Sequence, residues 1–243
     1  MRFVSFIFIA VLALSIRVSA QQTPTSAAQS FDEGTWAAQT GQFETALKNY
    51  KLSLSLAAGE KTNDEFLSKI HFNTGVCLFR LGRGAEAINE FNEAIRLSKG
   101  SYQKAFRALG MAESELKNWA NAETAFRKAL NLKKSDGETW FDLAFVLIEK
   151  KDFDGARTAF QNAIKYKTGA TADAHNNVGV IHALKGDLAA AEKEFKIALH
   201  KSGGKSVEAG SNLEFCKIYK QKSGQARLTK FEFSRAPAGK SGA

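Results

Sequence analysis

"WANAETAFRKALNLKKS", residues 119–135, decides the fold of this chain. It places Ala122, Phe126 and Ala129 at i, i+4 and i+7, which is one face of an α-helix. The same small–aromatic–small face returns at Ala87, Phe91, Ala94, at Ala156, Phe160, Ala163 and at Ala191, Phe195, Ala198, with a looser copy at Ala46, Tyr50, Ser53. The first alanines are spaced by 41, 35, 34 and 35 residues. A period near 34 accommodates two short helices with their turns, so the chain reads as a helical array.

A second helix precedes each of these. It carries a small residue twelve positions before the first alanine: Gly34, Gly75, Gly110, Ala144 and Gly179. Turn sequences separate the two helices: "TGQF", "LGRG", "LKNW", "KKDF" and "KGDL". The fourth copy reads Trp140, Leu143, Ala144, Leu147, then Phe153, Ala156, Phe160, Ala163. The third offers Phe106, Leu109, Gly110 and Trp119 before its Ala–Phe–Ala helix, and the fifth His175, Val178, Gly179 and Leu188. On these residues the chain resembles the tetratricopeptide repeat (TPR) family, whose unit is a helix–turn–helix. The first copy departs from the pattern because Glu33 stands at an aliphatic position, so only its second helix is expected to follow it. The closing proline of the family pattern is absent throughout.

The resemblance implies an all-α fold, a right-handed α-solenoid of about five hairpins. The repeats fall near 27–60, 68–101, 103–136, 137–170 and 172–205, with a capping helix over 206–222. The long first spacing implies an extended connection between Ser55 and Phe66. A lone hairpin cannot bury its apolar side, so stability must come from stacking neighbours.

Outside the array the expectations are different. Residues 1–20 join Arg2, an apolar run from Phe3 to Ile16, Arg17, and small residues at Val18 and Ala20, which reads as a signal peptide cleaved near Ala20. The alternative is a retained membrane anchor. An exported, periplasmic or secreted protein is expected, with 21–30 as a linker. The net charge of +9 is unevenly placed. From Lys217 onward there are seven basic residues against Glu232 alone, whereas 21–216 holds 25 basic and 24 acidic residues. A nucleic-acid-binding body is therefore not expected. Residues 223–243 read as a basic, disordered tail. Cys77 and Cys216 fall in distant repeats and read as buried packing residues.

In TPR arrays the first helices line a concave surface, and here the register gives that surface an apolar strip. It comprises Phe72, Val76, Phe79, Met111, Phe141, Phe145, Ile148, Val180, Leu184, Phe215, Ile218 and Tyr219, flanked by Lys69, Arg80 and Arg107. Such a strip marks a groove for a peptide or helix of a partner protein, unless its residues only thicken the helix packing. Leu228, Phe231 and Phe233 in the tail could fold back to cover it.

No nucleotide loop, nucleophile–base signature or metal-ligand spacing is found. His71, His175, His182 and His200 are read as structural. The expectation is a monomeric, non-catalytic interaction scaffold without cofactor or metal, whose partner is another envelope protein. The alternative is a tethering adaptor whose basic tail binds an anionic membrane or polymer surface.

Overall fold

The computed structural model describes residues 24–221 and 231–235. Eleven helices occupy the first of these spans and pair as hairpins. They are α1 (Ala27–Gln39) with α2 (Phe43–Ala57), α3 (Asp64–Arg80) with α4 (Gly84–Leu97), and α5 (Gln103–Glu115) with α6 (Trp119–Leu132). Then come α7 (Gly137–Glu149) with α8 (Phe153–Lys165), α9 (Thr171–Leu184) with α10 (Leu188–Lys201), and the single α11 (Val207–Gln221). Among the described residues there is no strand, and no helix is long and apolar enough to cross a membrane.

The repeated face does what its spacing requires. Tyr50, Phe91, Phe126, Phe160 and Phe195 are all at most 1% exposed, and the alanine before each is fully buried. Each ring lies against the small residue of the preceding helix. A Cβ on Gly34, Gly75, Gly110 or Gly179 would stand 2.8, 2.6, 2.7 and 2.6 Å from Tyr50, Phe91, Phe126 and Phe195 respectively. Those distances are closer than carbon atoms can approach, so glycine lets the two backbones close on the ring. The fourth hairpin tolerates Ala144 at the same place.

The hairpin turns share one backbone device. The second residue after each first helix turns into the left-handed region, at Gly41, Gly82, Lys117, Lys151 and Gly186. Two lysines therefore adopt a conformation that costs an L-residue roughly 1 kcal/mol or more. Asn63, Asp152 and Asp187 cap the helices that follow them by accepting from the N–H of Phe66 (2.8 Å), Gly155 (2.9 Å) and Ala190 (3.0 Å).

Neighbouring hairpins are tied by a further repeated pair. Lys150, Lys185 and Lys220 sit 35 residues apart and reach back to Glu123, Asp154 and Glu192 on the preceding second helix. These pairs are solvent-exposed and contribute little individually. The odd-numbered helices approach one another directly (α1 to α3, α3 to α5, α5 to α7, α9 to α11), whereas even-numbered helices meet mainly odd ones. The odd row is therefore the inner side of the stack.

Several expectations change. The first helix of the first repeat forms despite Glu33, because Gly34 still receives the Tyr50 ring. It starts at Ala27, at the bound expected for the first repeat and so within the 21–30 stretch also read as linker, where Ser26 accepts a hydrogen bond from the Gln29 N–H (3.2 Å). The second repeat begins at Asp64 rather than near 68, so much of the long first spacing is absorbed into the 17-residue α3. Residues 1–20, including the expected signal peptide, lie outside the described residues, as do Leu228 and the rest of the tail apart from 231–235.

Candidate peptide groove

The inner row presents the predicted apolar residues, but less openly than the sequence implies. Phe72 packs on Phe91 (centroids 6.0 Å apart) and on Tyr102 (4.9 Å), so it is half-buried between hairpins. Val76 and Phe79 pack against the same buried cluster as Phe72, and Met111, Phe145 and Ile148 against the next one. Phe141 is not a groove residue. It is 1% exposed, with its ring edge-to-face on Phe145 (5.2 Å) and Phe160 (5.4 Å), because the hairpin's own second helix supplies its mate. Val180 is likewise fully buried. Arg80 is exposed, and Lys69 pairs with Glu65 (2.7 Å).

Arg107 is also not a free cation of the groove. Its Nε donates to Asp142 (3.0 Å), and Glu138 lies 3.9 Å from the guanidinium. Loss of solvent pushes the Asp142 carboxyl up to about 6, with Arg107 pulling against that shift.

The tail supplies one member of the cluster in which Val180 is buried. Phe231 is 8% exposed and shares a buried cluster with Val180, Phe195 and Cys216, against which Leu184 and Phe215 also pack. Its ring stacks on Phe195 (6.0 Å, 14° between planes) and meets the edge of Phe215 (5.1 Å). Phe233 packs against this cluster and against the one containing Phe141 and Phe160. The stretch 231–235 thus corrects the expectation of an end disordered throughout. Tyr219 is half-buried nearby on α11, and Ile218 is exposed.

Three asparagines hold this segment by its backbone. The Asn212 amide accepts from the Glu232 N–H (2.9 Å) and donates to the Glu232 carbonyl (2.8 Å). Asn177 does the same for Ser234, accepting from its N–H (2.7 Å) and donating to its carbonyl (2.8 Å). Asn176 donates to the Glu232 carbonyl and to the Ser234 hydroxyl (both 3.0 Å), and accepts from Asn212 (2.9 Å). All three asparagines are at most 1% exposed. Glu232 and Ser234, alternate residues of the segment, therefore meet α11 and α9, neighbours in the inner row.

Carboxylates stand beside two residues of the segment. Burial and neighbouring Glu208 push the Asp173 carboxyl up, while a hydrogen bond with Ser234 opposes the shift. Arg235 stands 4.0 Å from Glu149.

The asparagines were not among the residues expected to bind. The signal is present, however: Asn73 and Asn177 each stand two residues before the repeat glycine, and Asn212 lies 35 residues beyond Asn177. Asp142 occupies the same place in the fourth repeat. A polar amide recurring on an apolar inner face needs a partner, since a buried polar group without one is costly.

The other polar candidates have structural partners. His71 pairs with Glu90 (2.6 Å) and His175 with Glu194 (2.7 Å), the same contact in two repeats. Cys77 and Cys216 are free thiols and buried, and desolvation pushes Cys77 up to about 11. Among the described residues no group of three or more His, Cys, Asp or Glu is placed to hold a metal.

Known proteins share this architecture. A TPR-containing protein of Schizosaccharomyces pombe is 34% identical over 94 residues, covering 38% of this chain and 11% of its own. A DnaJ homolog subfamily C member 7 homolog of the same organism is 26% identical over 111 residues, covering 46% and 22%. The chain thus spans less than a quarter of the length of these curated relatives. Among solved structures, MamA superposes with a TM-score of 0.63 at 23% identity, covering 71% of this chain and 95% of that one. YrrB, described as a TPR protein with an unusual peptide-binding site, gives 0.61 at 20% identity over 81% and 92%. PilF of Pseudomonas aeruginosa gives 0.64 at 17% identity over 80% and 82%. The tetratricopeptide repeat profile matches residues 31–102 and 141–206, more than half of the sequence. With its glycine–aromatic hairpins and that match, the chain belongs to the tetratricopeptide repeat family.

Proposed function

We propose that this protein is a non-catalytic interaction scaffold that holds an extended segment of another protein on the inner face of α9 and α11. One observation carries the reading: Asn177 and Asn212 each take both the N–H and the carbonyl of a single residue, Ser234 and Glu232 respectively. That is recognition of a peptide backbone, open to any residue that keeps its N–H. The peptide-binding site ascribed to YrrB, a protein of similar fold, is in keeping with it. The apolar run from Phe3 to Ile16 supports an exported protein, so the partner would be met in the envelope or beyond it.

Selection from a random peptide library on the full chain, repeated on Asn212→Ala, tests the groove. Peptides retained by the parent and lost by the variant are expected. A library that yields no ligand sensitive to Asn212 would remove the reading. Intact mass after expression with the leader tests export, which predicts a mature start at Gln21.

A further inference from the structure

We infer that Phe231–Arg235 is a built-in competitor for the groove, and that the segment which displaces it shares its pattern. That pattern is an extended aromatic–any–aromatic–Ser/Thr–basic stretch. The inference rests on the proposed peptide-binding role and names its ligand class.

The side chains of the docked segment divide into read and unread positions. Phe231 is enclosed by Phe195 and Phe215, and Phe233 rests against two buried clusters, so both sites demand large apolar groups. The Ser234 hydroxyl accepts from the buried amide of Asn176 (3.0 Å), and Ser234 is 2% exposed, which leaves room for a small hydroxyl residue. Arg235 stands 4.0 Å from Glu149 at the exposed end of the segment, which favours a basic residue there. Glu232 is exposed and contributes only its backbone, so that position is free to vary.

Nothing in this recognition requires that the strand belong to the same chain. The segment is covalently linked to α11 through nine residues, 222–230. A short tether gives a local concentration on the order of 1 mM, so even a weak occupant fills the site until a better one arrives. A partner strand can outcompete it by length. The strand runs from the α11 side toward α9, so a longer ligand next reaches the fourth repeat, where Asp142 stands at the ladder position.

Full-length protein and a labelled peptide of residues 226–237 test this by fluorescence anisotropy. In the full-length Phe231→Ala/Phe233→Ala variant the docked segment loses its anchors. The peptide should bind that variant at least about ten-fold more tightly than the parent, as expected for a trans Kd of about 100 μM against a local concentration near 1 mM. Adding Asn212→Ala, or replacing both phenylalanines of the peptide, should abolish binding. Equal affinity for parent and variant would overturn the inference, as would no binding to a variant whose helical circular dichroism is intact. Should the double variant fail to fold, Glu232→Pro serves instead, since it removes the N–H given to Asn212 and keeps both rings. Library peptides of a different pattern that bind through Asn212 would sink this inference while leaving the scaffold reading intact. Absence of any such peptide would sink both.

Discussion

Asn177 and Asn212 stand 35 residues apart on adjacent inner helices and clasp Ser234 and Glu232, two residues apart on one strand. The repeat of the array is thereby matched to the repeat of an extended chain. Truncating Asn212 leaves the Glu232 N–H without its partner and the Glu232 carbonyl with Asn176 alone, a loss of about 1–3 kcal/mol in the docking of the segment. Hydrogen exchange should show the amides of Glu232 and Ser234 losing protection in Asn212→Ala, while α1 to α8 stay unchanged.

Gly179 and Phe195 set the floor of the same site. Gly179→Ala would put a Cβ 2.6 Å from the Phe195 ring and 3.2 Å from the Ala191 carbonyl oxygen. The ring has little freedom to yield because it is fully buried and Phe231 is stacked against it. Overpacking of this kind costs about 1–3 kcal/mol, against a gain near 1 kcal/mol in helix propensity. A lower melting temperature is expected, together with weaker protection at Glu232.

Lys117 and Lys151 offer the opposite effect. Both hold positive φ, 60° and 63°, at turns where other hairpins use glycine, and both are exposed. Lys117→Gly and Lys151→Gly relieve that strain and should each stabilise the protein by up to about 1 kcal/mol in denaturant unfolding. A loss of stability would show that the lysine side chains, not the backbone, decide these turns.

The Arg107–Asp142 pair makes stability depend on pH in a defined direction. The Asp142 carboxyl titrates near 3.8 when unfolded and about 6 when folded. Across that window the folded chain holds the extra proton, so this group's contribution to stability falls as pH rises. Removing the guanidinium raises the folded value further and extends the loss upward. Arg107→Met should therefore cost more at about pH 7.5 than at about pH 5, by about 1–3 kcal/mol at the higher value. An equal cost at both would place the effect in packing alone.

Much of the array was legible because its signals are local. Ala122, Phe126 and Ala129 share a face by helical geometry alone, and Gly110 twelve positions upstream identifies the surface they close upon. Glu33 misled because one polar residue was weighed against a helix whose packing depends on Gly34 and Tyr50. Phe141 misled for a related reason. Periodicity assigns a residue to a face, but the depth to which a ring sinks depends on Phe145 and Phe160 around it.

The one-dimensional pattern by itself determined the all-α repeat, its five hairpins, its turns and the glycine–aromatic pairing. All of these arise from contacts within about 34 residues. Which inner residues stay open, and that Phe231 to Arg235 lie against α9 and α11, were decided only in three dimensions. Asn177 and Ser234 are 57 residues apart, and they meet only because α11 stacks beside α9 and the segment beyond it turns back across both. No local periodicity carries that contact. It exists only once the helices have stacked.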